Sequence, residues 1–247
     1  MPDVRILLFG GNGFVGSAIA PKLVARGITP VIVSRSGTPP THLKDVAWTK
    51  QAIWYSGDAA FPDGRWYKNT IATLCLVGSP PLPTFSQKAF EKQLYTNSQP
   101  NIGAIGGARE AGCKKVVLLG AHIPALLNKN WFAYAKGKRL CLEAAKDFAS
   151  GGMKRSAAVL QPSAIYGTRY DKAGKAINLE KFMAPIARHQ ANLPVLLRKI
   201  TPEQLVSVEA VADRLIHACL DDSFTGRCLM ISNEDLSQEA SIHHQEE

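Results

Sequence analysis

The chain has 247 residues, 46% of them hydrophobic, with 29 lysines and arginines against 20 aspartates and glutamates, for a formal net charge of +9. That length can bury one sizeable core with room for a small added lobe, and no apolar run is long enough for a membrane-spanning helix. The basic balance suits anionic partners such as phosphorylated cofactors, acidic proteins or an anionic membrane surface; no nucleic-acid motif is present, so no nucleic acid partner is expected. The N-terminus enters a strand almost at once, which leaves no signal or transit peptide visible in this numbering. Cys75, Cys113, Cys141, Cys219 and Cys228 are scattered without metal-like spacing. They read as buried, reduced thiols, and no metal site is expected.

In chain order, Val4 and Ile6–Phe9 form a nearly continuous apolar run, the pattern of a parallel strand buried on both faces. Gly10, Gly13 and Gly16 follow at three-residue spacing, with Asn12, Phe14 and Val15 between them. Gly10 permits the tight turn out of the strand. Gly13 lets phosphate oxygens approach the backbone, and Gly16 lets the following helix pack close to the strand. A helix opening near Phe14 aims its free N–H groups and positive dipole end at a pyrophosphate. Pro21, inside that helix (14–26), predicts a kink.

The second strand ends in Ser34-Arg35-Ser36. A carboxylate there would hold a ribose 2′-hydroxyl; a guanidinium flanked by two hydroxyls suits a 2′-phosphate instead. The alternative is a solvated loop arginine. Gly37–Pro40 is a loop, and a weak third strand covers 52–55. Asp58 follows it, placed either to accept from an adenine amino group or to close an ordinary turn. A fourth strand over 71–77 ends at Val77-Gly78, small enough for a ribose or nicotinamide to lie against the backbone. Beyond the Ser79–Pro83 loop come a helix (85–111), a fifth strand (115–119), a helix (131–149) and a sixth strand (157–160). Further helices are expected over 178–190 and 208–220, and a last strand over 228–231. Residues after about 235 are polar, and His243-His244 there reads as part of a solvated tail rather than a metal site.

Strands alternating with helices predict an α/β fold: a Rossmann-type, doubly wound parallel sheet with a small C-terminal substrate or partner lobe. The division expected is a dinucleotide-binding core (1–167), a basic lobe (168–207), a final helix and strand completing the core (208–234) and a tail (235–247). Tyr134 and Lys138 lie four residues apart, one helical turn, and so share a face. An ammonium beside a phenol favours phenolate, which makes Tyr134 a candidate acid/base and Lys138 its electrostatic partner or a ribose ligand. Lys136 and Arg139 crowd the same helix, so a basic solvated face is the alternative.

The order of these motifs resembles the atypical, extended-like short-chain dehydrogenase/reductase family. The residues that carry the resemblance are Gly10-Gly-Asn-Gly-Phe-Val-Gly16, Asp58, Gly78, Asn97, Tyr134 with Lys138, and Gln161-Pro-Ser-Ala-Ile-Tyr-Gly167. It spans most of the chain. Phe9–Gly16 and Val33–Gly37 are similar to that family's mitochondrial branch, which holds a fungal coenzyme Q biosynthesis oxidoreductase and the nucleotide-binding accessory subunit of respiratory complex I. The resemblance implies NADP(H) in preference to NAD(H), a location on the matrix side of the mitochondrial inner membrane, and association with a membrane complex. It also implies that Pro162, Ser163 and Ile165 pass over the nicotinamide. A quinone-like substrate and a catalytically silent structural role are both consistent with that branch. One departure stands out. Active members carry a serine or threonine near the end of strand five; here the chain reads Leu119-Gly120-Ala121-His122, with no hydroxyl. Losing such a donor costs on the order of a hundred- to a thousand-fold in rate, and His122 is either a substitute donor or a surface histidine.

Residues 168–207 carry Arg169, Lys172, Lys175, Lys181, Arg188, Arg198 and Lys199 against Asp171, Glu180 and Glu203. Leu179, Phe182, Met183 and Ile186 fall on one helical face. Such a segment suits an anionic membrane or a partner protein, or packs on the core with its lysines solvated.

Overall fold

A computed structural model describes residues 3–152, 154–171, 173–181, 183 and 205–235. Seven strands form one sheet: β1 (Arg5–Phe9), β2 (Thr29–Ser34), β3 (Ile53–Ser56), β4 (Thr70–Cys75), β5 (Lys115–Leu119), β6 (Ser156–Leu160) and β11 (Cys228–Ile231). The helices are α1 (Phe14–Ala25), α2 (Gln87–Glu110), α3 (Ala133–Ser150) and α4 (Val208–Leu220). The sheet order is β11-β6-β5-β4-β1-β2-β3, and every pairing in it is parallel. Strand order reverses between β1 and β4, which opens the ligand crevice of a doubly wound sheet at the C-terminal ends of those two strands. The expected Rossmann-type sheet is therefore present, and each of the seven strands read from the sequence lies in it.

Strand alternation sorts the core into two layers. Ile6, Leu8, Ile32, Leu74, Val117 and Leu160 point to the face covered by α1 and α4. Leu7, Phe9, Val31, Val33, Leu118 and Val159 point to the face covered by α2 and α3. Each fully buried Leu, Ile or Phe contributes roughly 1.5–3 kcal/mol of transfer free energy, so these two rows fix the register of the sheet. Pro21 sits inside α1, which is helical over residues 14–25 on both sides of it. Lys115, buried at the start of β5, donates to the Cys219 and Asp221 carbonyls and pairs with Asp222 at 2.7 Å. A cation at a helix C-terminus complements the helix dipole, and this one ties α4 to the sheet.

Four three-residue strands lie outside the sheet. β7 (Ala164–Tyr166) pairs in parallel with β10 (Leu205–Ser207), Ile165 opposite Val206. β8 (Thr168–Tyr170) and β9 (Ala176–Asn178) form an antiparallel hairpin whose turn is closed by Asp171, accepting from the Ala173 and Lys175 amides. The ring of His42 stacks on Tyr170 with centroids 3.9 Å apart. Lys172, Phe182, Ile186, Arg188, Arg198, Lys199, Glu203, His243 and His244 lie outside the described residues, as does most of the helix expected over 178–190.

Candidate functional site

The glycine turn forms a cradle at the mouth of α1. Gly10 has φ +86°, and a Cβ there would sit 3.3 Å from the Leu76 and Val77 backbone across the crevice. The Gly13 amide donates to the Gly10 carbonyl at 3.0 Å. A Cβ at Gly16 would lie 2.4–2.7 Å from Gly10 and Gly11 backbone atoms, so only glycine lets α1 start this close to β1. A Cβ at Gly13 would meet nothing within 4 Å except the Gly10 oxygen. That side of the turn is open, and an oxygen-sized group can reach the backbone there. Gly13 is the N-cap of α1; no side chain caps it, and the first turn carries no acidic residue. Asn12 and Phe14 are half-buried at the rim and Val15 is buried beneath. Uncapped amides and an uncompensated dipole end fit a pyrophosphate.

At the end of β2, Ser34 is buried and its hydroxyl accepts from the Gly37 amide at 3.1 Å, 3.3 Å from the Ser36 hydroxyl. Arg35 is exposed; its carbonyl accepts from the Ser56 hydroxyl, and its guanidinium has no hydrogen bond or ion pair among the described residues. Asp58 takes the turn role: its Oδ1 accepts from the Ala60 amide at 2.9 Å.

At the end of β4, two fully buried asparagines of α2 hold the chain. Asn101 accepts from the Val77 amide and donates to the Val77 carbonyl. Asn97 accepts from the Ser79 amide and donates to the Ser79 hydroxyl. The two sit one helical turn apart and satisfy backbone groups that a sheet can no longer pair. Asn101 is the residue that sequence reasoning missed. Its signal was present: an Asn four residues after another inside a long helix, where asparagine is otherwise unfavourable.

On α3, Gly137 allows close approach, since a Cβ there would lie 3.0 Å from the Asn97 Cβ. Lys138 is buried, and its ammonium donates to the Leu119 carbonyl at 2.9 Å. A Cβ at Gly78 would lie 3.6 Å from that ammonium, so Lys138 stands over the floor where a ribose would rest. Tyr134 shares its face, with the Lys138 ammonium 5.7 Å from the ring centre. Its hydroxyl has no hydrogen-bond partner among the described residues.

The expectation that Lys138 lowers the Tyr134 pKa is corrected by this geometry. Burial dominates and pushes the phenol up to about 12. The ammonium lies over the ring and is held by Leu119 rather than sitting at the phenol oxygen, and burial pushes Lys138 itself downward. At neutral pH the Tyr134 hydroxyl therefore keeps its proton and is able to donate it.

Beyond β5, the Gly120 amide donates to the Leu160 carbonyl at 2.7 Å and the His122 amide to the Pro162 carbonyl at 2.9 Å, lacing the β5 and β6 loops together. A cavity of about 240 Å³ opens here between Gly120, Ala121, His122, Lys138, Arg139 and Gln161. His122 is exposed, and Ala121 is half-buried. Pro162 is buried, and the Ser163 amide and hydroxyl both donate to Asn233 Oδ1, a contact between the β6 loop and the residue pair after β11 that spacing could not reveal. Ile165 is half-buried in β7. Among the described residues no cluster of His, Cys, Asp and Glu could hold a metal ion, and no helix is long and apolar enough to cross a membrane.

No family model matches the chain. An uncharacterized, chloroplastic protein of Arabidopsis thaliana is 30% identical over 239 residues, covering 90% of this chain and 73% of the relative. The MIOREX complex component 2 of Saccharomyces cerevisiae is 39% identical over 61 residues, 24% of this chain and 22% of that protein. Among solved structures, a UDP-N-acetylglucosamine 4-epimerase from Methanobrevibacter ruminantium superposes with a TM-score of 0.68 at 16% identity, covering 99% of this chain and 83% of that one. The UDP-glucose 4-epimerase of Brucella ovis, in complex with NAD, superposes with a TM-score of 0.62 at 16% identity, covering 96% and 82%. The superpositions show a fold shared with these 4-epimerases, and by its 30% identity over nearly its whole length this chain belongs to the family of the Arabidopsis chloroplastic protein.

Proposed function

We propose that the protein binds a nicotinamide dinucleotide, NADP(H) in preference to NAD(H), and reduces a quinone-like carbonyl substrate in an organelle, as the mitochondrial branch it resembles would imply. The observation that carries the reading is a set of free donors at one end of the crevice: the uncapped, acid-free mouth of α1 and, beside it, the exposed guanidinium of Arg35. The amides around Gly13, Phe14 and Val15 would hold the pyrophosphate, with Gly10, Asn12 and Gly16 shaping the turn. Arg35, with Ser34 and Ser36, would take the 2′-phosphate. Val77, Gly78 and Lys138 would receive the nicotinamide ribose, and Pro162, Ser163 and Ile165 would cover the ring. The bound dinucleotide supplies hydride chemistry. Tyr134, protonated at neutral pH, donates a proton to a developing alkoxide, a role that favours the reducing direction.

The Arabidopsis relative is described as chloroplastic, which supports an organellar location; the inner-membrane side is carried by resemblance alone. In the test of the cofactor reading, Arg35→Asp weakens NADPH binding by roughly tenfold to a hundredfold, the worth of a charged hydrogen bond, and leaves NADH nearly unchanged. Equal losses for both would overturn the 2′-phosphate role.

A second reading is a catalytically silent, NADPH-binding accessory subunit of a respiratory complex. The observation favouring it is Gly120-Ala121-His122, where no hydroxyl can steady a substrate oxygen. Under the first reading Tyr134→Phe abolishes quinone reduction by NADPH. Parental activity in that variant would remove Tyr134 from the acid role, whereas no activity in either chain together with co-purification in a large membrane complex selects the second.

A further inference from the structure

The loops leaving β4 and β5 carry an apolar surface that no described element covers. Phe85 is 94% exposed, Trp131 64% and Leu82 62%; Leu126 is exposed as well. These residues form one region of the fold. β4 and β5 are adjacent parallel strands, so the loops after them and the first turns of α2 and α3 lie side by side. Lys136 on α3 reaches across, its ammonium 6.0 Å from the centre of the Phe90 ring on α2. The region is also held in shape. Gln93 donates to the Pro80 carbonyl at 3.0 Å, Asn97 to Ser79, and Arg139 to Asn128 and Asn130.

Its charge is mostly positive. Over residues 79–92 and 121–139 the charged side chains that are not buried are Lys88, Lys92, Lys129, Lys136 and Arg139, against Glu91. Exposed large aromatic and aliphatic side chains ringed by cations are unusual on a surface meant to face water. The combination complements a bilayer: aromatic rings settle at the headgroup level, and nearby lysines and arginines are drawn to an anionic leaflet.

We propose that the surface formed by Leu82, Phe85, Leu126 and Trp131, with Lys88, Lys92 and Lys129 around it, docks the protein on an anionic bilayer. The surface is continuous with the candidate acid. The Trp131 ring lies 6.0 Å from Phe132, and Phe132 lies 6.0 Å from Tyr134. Docking turns the β4–β5 end of the crevice toward the lipid, so the substrate class that reaches Tyr134 is lipid-soluble. That last clause rests on the oxidoreductase reading; the docking itself does not.

The test is flotation of the full chain with vesicles of phosphatidylcholine alone and of phosphatidylcholine mixed with phosphatidylglycerol, alongside NADPH titration of the same samples. The parent floats with the anionic vesicles only, and added salt releases it. Phe85→Ser/Trp131→Ser loses at least about tenfold in vesicle affinity, Lys88→Gln/Lys92→Gln/Lys129→Gln loses the salt dependence, and both bind NADPH as the parent does. The proposal is overturned by a parent that ignores anionic vesicles, or by a Phe85/Trp131 variant that still floats. It is equally overturned if the parent is a dimer that ignores vesicles and the aromatic variant sediments as a monomer, since the occupant is then a second copy. If no sample binds NADPH while the flotation pattern holds, docking stands and the dinucleotide reading falls.

Discussion

The two ends of the crevice treat their polar groups in opposite ways. At the β1–β2 end the chain leaves them free: α1 opens without a cap, and the Arg35 guanidinium has no partner among the described residues. At the β4–β5 end it engages them. Asn97 and Asn101 are used on the backbone of Val77 and Ser79, and Lys138 is held by the Leu119 carbonyl. Free donors in a folded chain are places where something else binds; engaged ones are places where the chain is shaping its own walls. On the proposed reading the first end is a receptor and the second a frame, in which the Tyr134 hydroxyl has no hydrogen-bond partner among the described residues.

Three substitutions would break or sharpen that contrast. The largest effect is expected from Gly16→Val. The new side chain meets backbone rather than a flexible side chain, so α1 is displaced from β1. Calorimetric titration should show no NADPH binding, and thermal unfolding a loss of about 1–3 kcal/mol from overpacking. Parental affinity would mean that the cradle is not the receptor.

Next is Asn101→Leu, which strands the part-buried amide and carbonyl of Val77 together. A loss of about 1–3 kcal/mol in urea unfolding is expected, and NADPH affinity should fall less than in Gly16→Val. An unchanged midpoint would show that the end of β4 is held by something else.

The smallest effect is a pH dependence. The folded pKa of Tyr134, about 12, stands above its ordinary 10.0. The folded chain therefore keeps a proton that the unfolded chain releases, so this group's stabilisation is complete below pH 10 and is lost as pH rises toward 12. Its share is on the order of 1–2 kcal/mol. Lys138, shifted downward from 10.5, has the opposite sign, and its contribution rises as pH approaches 10.5, for the most part before the Tyr134 fall begins. Tyr134→Phe should flatten the alkaline limb of the stability profile relative to the parent; identical limbs would mean that the phenol is not desolvated.

Much of this architecture is legible in the sequence. The sheet strands announce themselves as short β-branched and aliphatic runs because a strand buried on both faces has no polar side to show. α4 spans the same residues, 208–220, that its pattern predicts. The four short strands β7–β10 were not legible: three residues carry no period, and Ile165 is in a strand only because Val206 lies opposite it. The behaviour of Tyr134 was misread for a related reason. Helical spacing correctly puts Lys138 on its face, but a four-carbon side chain chooses its own partner, and the Leu119 carbonyl, nineteen residues away in sequence, took the ammonium. Asp58 shows the reverse case, where the plain alternative of a turn residue matches its bond to Ala60.

The place of β11 has a consequence for how the molecule comes into being. It covers the free edge of β6, and just beyond it Asn233 anchors Ser163. On a ribosome, then, the sheet stays one strand short and the β6 loop untethered until residues 228–233 have cleared the exit tunnel. During that interval β6 offers an unpaired, largely apolar edge of the kind that invites mispairing. The sheet therefore closes late in synthesis, after every other strand of it has been made.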